Sequence, residues 1–400
     1  MKRILLIATG GTIASAEEGN GLSPALSGEE LARSVPQIEG LYELDIVQPM
    51  NIDSTNMRPA DWLRIAEVIR EGYDAHDGFV VMHGTDTMAY TAAALSYLIQ
   101  GSPKPIILTG SQQPMGNPFT DAKINLYQSL VYAADDRSRD VSIVFGGYAI
   151  AGTRARKQRT MSFNAFASVN YPVLAYLRQG KIIRSGSVAV AAGLAEGEVA
   201  ASMGTASVGA GAPIDQRLTS EDGPRFYTHV DNRVCVLKLT PGLTPHMFEL
   251  LKPDYNAIIL ETFGMGGVPE LGADNSSFQE AIFDWIDSGR TIVMTTQVPE
   301  EGLDLGVYEV GRAYAEHPGG PQGRRHDHRD TCGKNHVGPW TNARAQRAAA
   351  PVLHPHQPRS CGRVVGTLQF ETNVHAASIA RTRPSASRAE NLRPATAKAS

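Results

Sequence analysis

The chain has 400 residues, of which 42% are hydrophobic and 20% charged, with a net charge of −4 and three cysteines. This composition is typical of a globular chain long enough for two domains, and three cysteines exclude a disulfide framework. No apolar run approaches the roughly 18 residues that a membrane span requires, so we expect no membrane partner. With only Cys235, Cys332 and Cys361 there is no disulfide framework, so we expect a reducing, cytoplasmic location.

The first half of the chain alternates short apolar runs with helical patterns. In chain order it predicts a strand at 4–8, helices at 28–34 and 61–73, a strand at 78–82, a helix at 90–99, a strand at 105–109, a helix at 121–134 and a closing strand at 141–145. The helix at 61–73 has an apolar face made of Trp62, Ile65, Ala66 and Ile69. The helix at 121–134 has a partly buried face that includes Ile124, Leu126, Leu130 and Val131. Such alternation is typical of a mostly parallel sheet flanked by helices.

A second, smaller part of the chain follows a stretch at 185–213 that is rich in Gly, Ala and Ser. That composition predicts a connector, although its alternating Val and Ala also fit an edge strand. Beyond it, the patterns predict strands at 234–239, 257–261 and 291–295 and helices at 245–251 and 276–287. The expected fold class is α/β, with a larger N-terminal domain at 1–185, a linker at 186–230 and a smaller C-terminal α/β domain at 231–320.

Two hydroxyl-bearing turns follow apolar strands. Thr9–Ala14 comes directly after the first strand, and His83–Thr87 comes directly after the strand at 78–82. In open α/β sheets, ligand crevices form where parallel strands end, so two threonines and a carboxylate are expected to meet in one pocket. A hydroxyl near a base and a carboxylate suits attack on a carbonyl, which predicts acyl transfer.

Four motifs carry a specific resemblance. They are Thr9-Gly10-Gly11-Thr12-Ile13, His83-Gly84-Thr85-Asp86-Thr87-Met88, Thr109-Gly110-Ser111-Gln112 and Ser168-Val169-Asn170-Tyr171-Pro172. In this order and spacing, residues 1 to about 320 resemble bacterial L-asparaginases of the type I, cytoplasmic branch. The glycine-rich turn lacks the spacings of the common nucleotide-binding loops, which argues against a phosphate cradle.

The resemblance implies a catalytic set. Thr12 matches the nucleophile of the family, and Thr85, Asp86 and Lys157 match a hydrogen-bonded set beside the substrate. A lysine acts as a base near neutrality only when burial or nearby cations, here Arg154 and Arg156, lower its pKa. Two plainer interpretations stay open: Thr12 as a helix cap, with Thr9 as a strand-end residue, and Lys157 as part of a solvated basic run.

The resemblance also implies a substrate-binding set. Asp86 receives the substrate ammonium group, and Ser54 and Thr55 hold its carboxylate through hydroxyl and backbone N–H donors. Ser111 and Gln112, after the third strand, are expected to line the pocket for the side-chain amide. A simple turn role for Ser54 is the alternative.

The implied function is hydrolysis of L-asparagine to L-aspartate and ammonia through a threonine acyl-enzyme, without a metal or an organic cofactor. L-Glutamine is the expected side substrate, because one methylene changes discrimination by only about 1 to 3 kcal/mol. The resemblance also implies a homodimer or homotetramer. Alternatives are the amidase subunit of a tRNA-dependent amidotransferase, which normally carries an extra domain before this turn, and a catalytically weak amino-acid-binding homologue. The second alternative rests on the aberrant C-terminal end and on the loop Ala16–Pro24, which has Gly19 and Gly21 for a lid but lacks the tyrosine of many relatives.

Residues 321–400 differ in kind from the rest. They hold 13 Lys and Arg against 4 Asp and Glu, a net charge of +9, whereas residues 1–320 carry −13. We interpret this segment as an out-of-frame, disordered tail rather than a nucleic-acid-binding arm or a zinc site, whose candidate ligands Cys332, His336, His354, His356 and Cys361 have irregular spacing.

Reverse translation supports the out-of-frame interpretation. Reading the codons of Gly320 to Asn342 one base later permits VLKAGDMTTETLVAKTMWALGQ. That string has apolar residues at helical spacing and resembles the C-terminal helix of type I asparaginases, so the last helices of the second domain are expected to be missing.

Overall fold

The computed structural model describes residues 1–18, 21–24, 29–30, 35, 42–185, 223–305, 313–314 and 317. Most of the predicted helix at 28–34, apart from residues 29–30, most of the connector at 185–213 and the whole segment 321–400 lie outside these residues. The proposed boundaries of the domains and of the linker therefore stay predictions.

The described strands and helices are as follows. In chain order the strands are β1 (Arg3–Ala8), β2 (Ser15–Glu18), β3 (Gly21–Pro24), β4 (Glu43–Val47), β5 (Gly78–Met82), β6 (Ile99–Gln100), β7 (Pro105–Thr109), β8 (Asp140–Phe145), β9 (Tyr148–Ala151), β10 (Ala155–Lys157), β11 (Phe166–Ser168), β12 (Ala175–Arg178), β13 (Lys181–Arg184), β14 (Arg225–Phe226), β15 (Val234–Lys238), β16 (Ala257–Thr262) and β17 (Thr291–Thr296). The helices are α1 (Pro59–Gly72), α2 (Met88–Leu98), α3 (Ala122–Ala134), α4 (His246–Leu251) and α5 (Phe278–Asp287). Two 3₁₀ turns lie at Thr12–Ala14 and Ser54–Asn56.

The main sheet has the order β13-β12-β9-β8-β7-β5-β1-β4. Five adjacent strands of this sheet, β4, β1, β5, β7 and β8, run parallel, which confirms the predicted parallel sheet. The prediction that the strand at 141–145 closes the series is wrong, because β9, β12 and β13 extend the sheet in antiparallel fashion. The turn between β8 and β9 is Gly146-Gly147, and both residues have positive φ, as a two-residue hairpin turn requires.

Helices cover both faces of this sheet. The apolar face of α1, with Trp62, Ile65 and Ile69, is buried against one side, as predicted, and α3 packs on the other. Ile124 departs from its predicted place, since its side chain is 49% exposed. It lies two residues, or about 200° of helical rotation, from the buried Leu126, so both cannot face the sheet.

The second domain is a smaller α/β unit. Its parallel sheet has the order β15-β16-β17, and α4 and α5 pack on one face through Phe248 and Trp285. The other face holds Ile259 and Val293, which pack against Tyr97 of α2. Of the helices that the structure describes, none is long and apolar enough to cross a bilayer.

Candidate active site

Three turns meet at the carboxyl ends of β1, β5 and β7, and glycine makes their close approach possible. A Cβ on Gly11, which has a φ of +82°, would lie 2.4 Å from the backbone of Gly84. A Cβ on Gly10 would lie 2.5 Å from the carbonyl oxygen of Ile52. Only residues without a side chain fit such a backbone crossing. Since Thr12 follows Gly11 and Thr85 follows Gly84, the crossing places the two threonines on adjacent turns.

The turn that carries Ser54 completes this junction from the side. Ser54 is buried, and a Cβ on Gly84 would lie 2.5 Å from its Oγ. The Ser54 carbonyl accepts a hydrogen bond from Thr87 Oγ1 at 2.8 Å, which ties the turn to the β5 end. Thr55 is exposed, and both its backbone N–H and its hydroxyl donate to Asp53 Oδ1, at 2.8 and 2.9 Å. Ser54 therefore lies in the crevice, whereas both donors of Thr55 are engaged with a neighbouring carboxylate.

The structure brings Lys157, Thr85 and Asp86 together. Lys157 ends β10, and its Nζ donates to Thr85 Oγ1 at 2.8 Å and to Asp86 Oδ1 at 2.6 Å. The Lys157 side chain is 17% exposed and that of Asp86 is 59% exposed. Asp86 is accordingly open to a cationic group from solvent, whereas Lys157 is directed into the site rather than along a solvated run.

Arg154 and Thr9 are both buried and make contacts outside the cluster of Lys157, Thr85 and Asp86. Arg154 is buried with its guanidinium over the ring of Tyr171 at 5.6 Å, and this burial lowers the pKa of Arg154. Thr9 is buried and its hydroxyl donates to the carbonyl of Met82 at 2.8 Å. Thr9 thus links two neighbouring strands, as expected of a strand-end residue.

The β7 end contributes Ser111 and Gln112 in different ways. Ser111 is buried, and its hydroxyl donates to the carbonyl of Gln113 at 2.5 Å, within its own loop. Gln112 reaches the cluster of Lys157, Thr85 and Asp86 instead, since its Oε1 accepts from Thr85 Oγ1 at 3.2 Å. Its Nε2 donates to the carbonyl of Ser162 at 3.3 Å.

A buried hydrogen-bond chain lies behind Thr85 and was not predicted. Trp62 Nε1 donates to Thr91 Oγ1 at 3.0 Å, Thr91 Oγ1 lies 2.9 Å from His83 Nε2, and His83 Nδ1 lies 2.7 Å from the carbonyl of Gly84. A carbonyl only accepts, so Nδ1 of His83 carries a hydrogen, and in the neutral ring Nε2 then accepts from Thr91 Oγ1. Burial lowers the pKa of His83 to about 4, which agrees with a neutral ring.

Comparisons with known proteins agree with this geometry. The family model "Asparaginase, N-terminal" matches residues 3–188, and "Glutaminase/Asparaginase C-terminal domain" matches residues 233–322. The L-asparaginase of Thermococcus kodakarensis is 32% identical over 78% of this chain and 86% of its own length. The chain belongs to the asparaginase family.

Further relatives show two branches of the asparaginase family. L-asparaginase 1 of Escherichia coli K12 is 32% identical over 78% of the chain and 85% of that enzyme. A glutamyl-tRNA(Gln) amidotransferase polypeptide of Metallosphaera sedula is 34% identical over 78% of the chain, and the match spans 66% of that polypeptide. The solved structure of the T. kodakarensis enzyme superposes with a TM-score of 0.64 over 78% of this chain and 85% of its own. That of L-asparaginase I from Vibrio cholerae does so with a TM-score of 0.60 at 30% identity, over 74% of this chain and 81% of its own. The chain is therefore an amidohydrolase of this class.

Sequence reasoning missed the residues of this asparaginase-family chain that support the site from behind. Asp121 and Asn125, at the start of α3, hold the loop that carries Gln112. A signal was present, since an acidic residue just before a helix and an amide four residues later lie on one helix face. Nothing in the sequence says which loop they would face.

Proposed function

We propose that this chain is an L-asparagine amidohydrolase of the type I, cytoplasmic branch, with Thr12 as nucleophile and L-glutamine as a side substrate. The observation that carries the proposal is the crossing of Gly11 and Gly84, together with the contacts of Lys157 to Thr85 and Asp86. The candidate nucleophile Thr12, the hydrogen-bonded pair of Thr85 and Lys157, and the exposed carboxylate of Asp86 thus share one end of the sheet.

The substrate would enter with its charged groups at opposite sides of the crevice. The exposed carboxylate of Asp86 suits the α-ammonium group, because a carboxylate and an ammonium form a charge-assisted hydrogen bond. Ser54 supplies a buried hydroxyl beside Gly84 for the α-carboxylate. Thr55 contributes less than the sequence implies, since both its donors already serve Asp53.

The chemistry proceeds in two halves. In the first, Thr12 Oγ bonds to the side-chain amide carbon, its proton passes by way of Thr85 and Lys157 to the amide nitrogen, and the C–N bond breaks to release ammonia. In the second, water attacks the resulting ester, its proton returns to Thr12 Oγ, and L-aspartate leaves. Lys157 must be uncharged to accept the proton from Thr85, and it is uncharged again once it has passed that proton to the amide nitrogen.

The test is ammonia release from L-asparagine by the purified full chain and by Thr12→Val. Valine removes the hydroxyl but nearly preserves its volume, so we expect hydrolysis to be abolished while the fold is kept. Thr9→Val is the matched control, because Thr9 lies in the same turn and its hydroxyl only bonds the carbonyl of Met82. More than a few per cent of wild-type rate in Thr12→Val would move the nucleophile elsewhere, with Thr85 next in line.

The same ammonia-release assay distinguishes the proposed function from two others. The amidotransferase polypeptide of M. sedula matches this chain at 34% identity, so a role as the amidase of a tRNA-dependent amidotransferase is the second candidate. Such an amidase would release ammonia efficiently only with its partner protein and charged tRNA. A catalytically weak binding homologue would bind L-asparagine without turnover. The proposal further includes a cytoplasmic location and a homodimer or homotetramer, which a sedimentation measurement on the full chain would test.

A further inference from the structure

The polarity of the Gln112 amide is set by its neighbours. The carbonyl of Ser162 can only accept a hydrogen bond, so Nε2 of Gln112 must face it and Oε1 must face Thr85. Oε1 is an acceptor, so the hydroxyl hydrogen of Thr85 points at Gln112. The lone pairs of Thr85 Oγ1 are then left for Lys157 Nζ and for the crevice.

The backbone beneath Gln112 is held by one buried carboxylate. Asp121 is 3% exposed, and its two oxygens accept from the backbone N–H of Gln112, both at 3.0 Å, while Oδ1 also accepts from that of Gln113 at 3.1 Å. Its Oδ2 accepts from Asn125 Nδ2 at 3.0 Å. Hydrogen bonds to an ionised group are about twice as strong as neutral ones, so this carboxylate is a firm anchor for the loop.

Asn125 cannot turn over to relieve a change at Asp121. Its Nδ2 also donates to the carbonyl of Gly110 at 2.9 Å, and its Oδ1 accepts from the backbone N–H of Gly146 at 3.0 Å. Replacing Asp121 Oδ2 by an amide NH₂ would therefore set donor against donor.

We propose that Gln112 and Asp121 are positioning residues for the amide hydrolysis: Gln112 holds the Thr85 hydroxyl in place with a lone pair toward the crevice, and Asp121 holds Gln112 in reach of Thr85. This inference rests on the proposed function, because it assigns that lone pair to the proton of Thr12, while the Thr85 hydrogen turns from Gln112 to Lys157 Nζ when the lysine is uncharged. It gives Gln112 a role other than lining the amide pocket.

The test is a double-mutant cycle in steady-state kinetics on L-asparagine. We expect Gln112→Met to lower kcat about tenfold with little change in KM, since it removes an interaction that orients the proton path and not one that binds substrate. Asp121→Asn should lower kcat to a similar extent, and the double variant should remain near about tenfold rather than about a hundredfold, because both changes remove one interaction.

A matched control separates positioning from stability. Asp135, just after the other end of α3, is also a partly buried carboxylate that accepts from Arg184 Nη2 at 2.6 Å. Asp135→Asn should lower stability without changing kcat. A hundredfold loss in the double variant, or wild-type kcat in Gln112→Met, would overturn the inference.

A crystal structure of Asp121→Asn tests the geometry without any turnover. We expect Gln112 Oε1 to leave hydrogen-bonding distance of Thr85 Oγ1. An unchanged contact would contradict the inference even if the wild-type chain hydrolyses L-asparagine. A wild-type chain without activity would instead contradict the proposed function, and this structure would still decide the role of Asp121.

Discussion

Acidification should destabilise this protein through one buried imidazole. The pKa of His83 in the folded chain is about 4 because of burial, against 6.5 for an ordinary histidine. Between these values the unfolded chain binds more protons than the folded one, so the free energy of unfolding falls as the pH falls. His83 then accounts for a loss of about 2 kcal/mol between about pH 7 and pH 5, and about 3 kcal/mol by about pH 4.

The effect of His83 is isolated by a variant that does not titrate. His83→Gln is compared with the wild type by urea unfolding at about pH 7, 6 and 5, since carboxylates that titrate in both proteins cancel in the difference. The variant is expected to be the less stable protein at neutral pH, because it breaks the chain from Trp62 to Gly84. Its disadvantage should shrink by about 2 kcal/mol by about pH 5, because the unfolded wild type then binds a proton at His83 that the folded chain still excludes.

A stability difference that does not change with pH would refute this reasoning. It would mean that His83 has the same pKa in the folded and unfolded chains, and hence that Thr91 and the Gly84 carbonyl tolerate an imidazolium. The ring resonances of His83 give an independent reading, since we expect their midpoint near 4.

Three further predictions concern the lysine, the glycine junction and the C-terminal segment. Lys157→Met should lower kcat far more than it raises KM, because a base acts in the transition state; comparable changes in both constants would make Lys157 a binding residue. Gly84→Ala should lower the free energy of unfolding by about 2 kcal/mol, because its Cβ would overlap Ser54. Gly116→Ala, where a Cβ meets nothing within 4 Å, is the neutral control. Equal losses of stability in the two variants would contradict a steric requirement for glycine at position 84. Sequencing the gene should show third bases at codons 320–342 that permit the shifted reading, and incompatible bases would exclude a frame change.

The strands of the main sheet were predictable because their physical signal is local. Runs such as Phe79–Met82 are apolar without interruption, as strands buried on both faces are, and β5 and β7 have the predicted bounds. The strand β4 and the hairpin strand β9 were missed. Tyr148–Ala151 is short, and its only local signal is the Gly146-Gly147 turn before it.

The residues of the candidate site likewise divide into those with a local sequence signal and those without one. Thr12, Thr85 and Asp86 follow strands whose carboxyl ends meet at one edge, so their proximity follows from topology. Lys157 lies 71 residues beyond Asp86, on a strand too short to recognise, and only the family resemblance singled it out. Asp121 acts through backbone N–H groups of another loop, and His83 pairs with the Thr91 side chain, and no spacing in the sequence identifies such partners.

The contacts of Thr85 indicate why buried polar groups are concentrated around this residue. The chain from Trp62 ends on the carbonyl of Gly84 and holds the backbone just before Thr85 from the core side. The anchor at Asp121 acts through Gln112 and holds the hydroxyl of Thr85 from the solvent side. Burying a polar group is costly unless it is hydrogen-bonded, and apolar side chains would avoid that cost. Stability alone therefore does not explain why two independent sets of buried polar groups converge on Thr85. Holding the oxygen of one hydroxyl in place is what a proton relay requires, because each transfer needs its donor and acceptor within hydrogen-bonding distance.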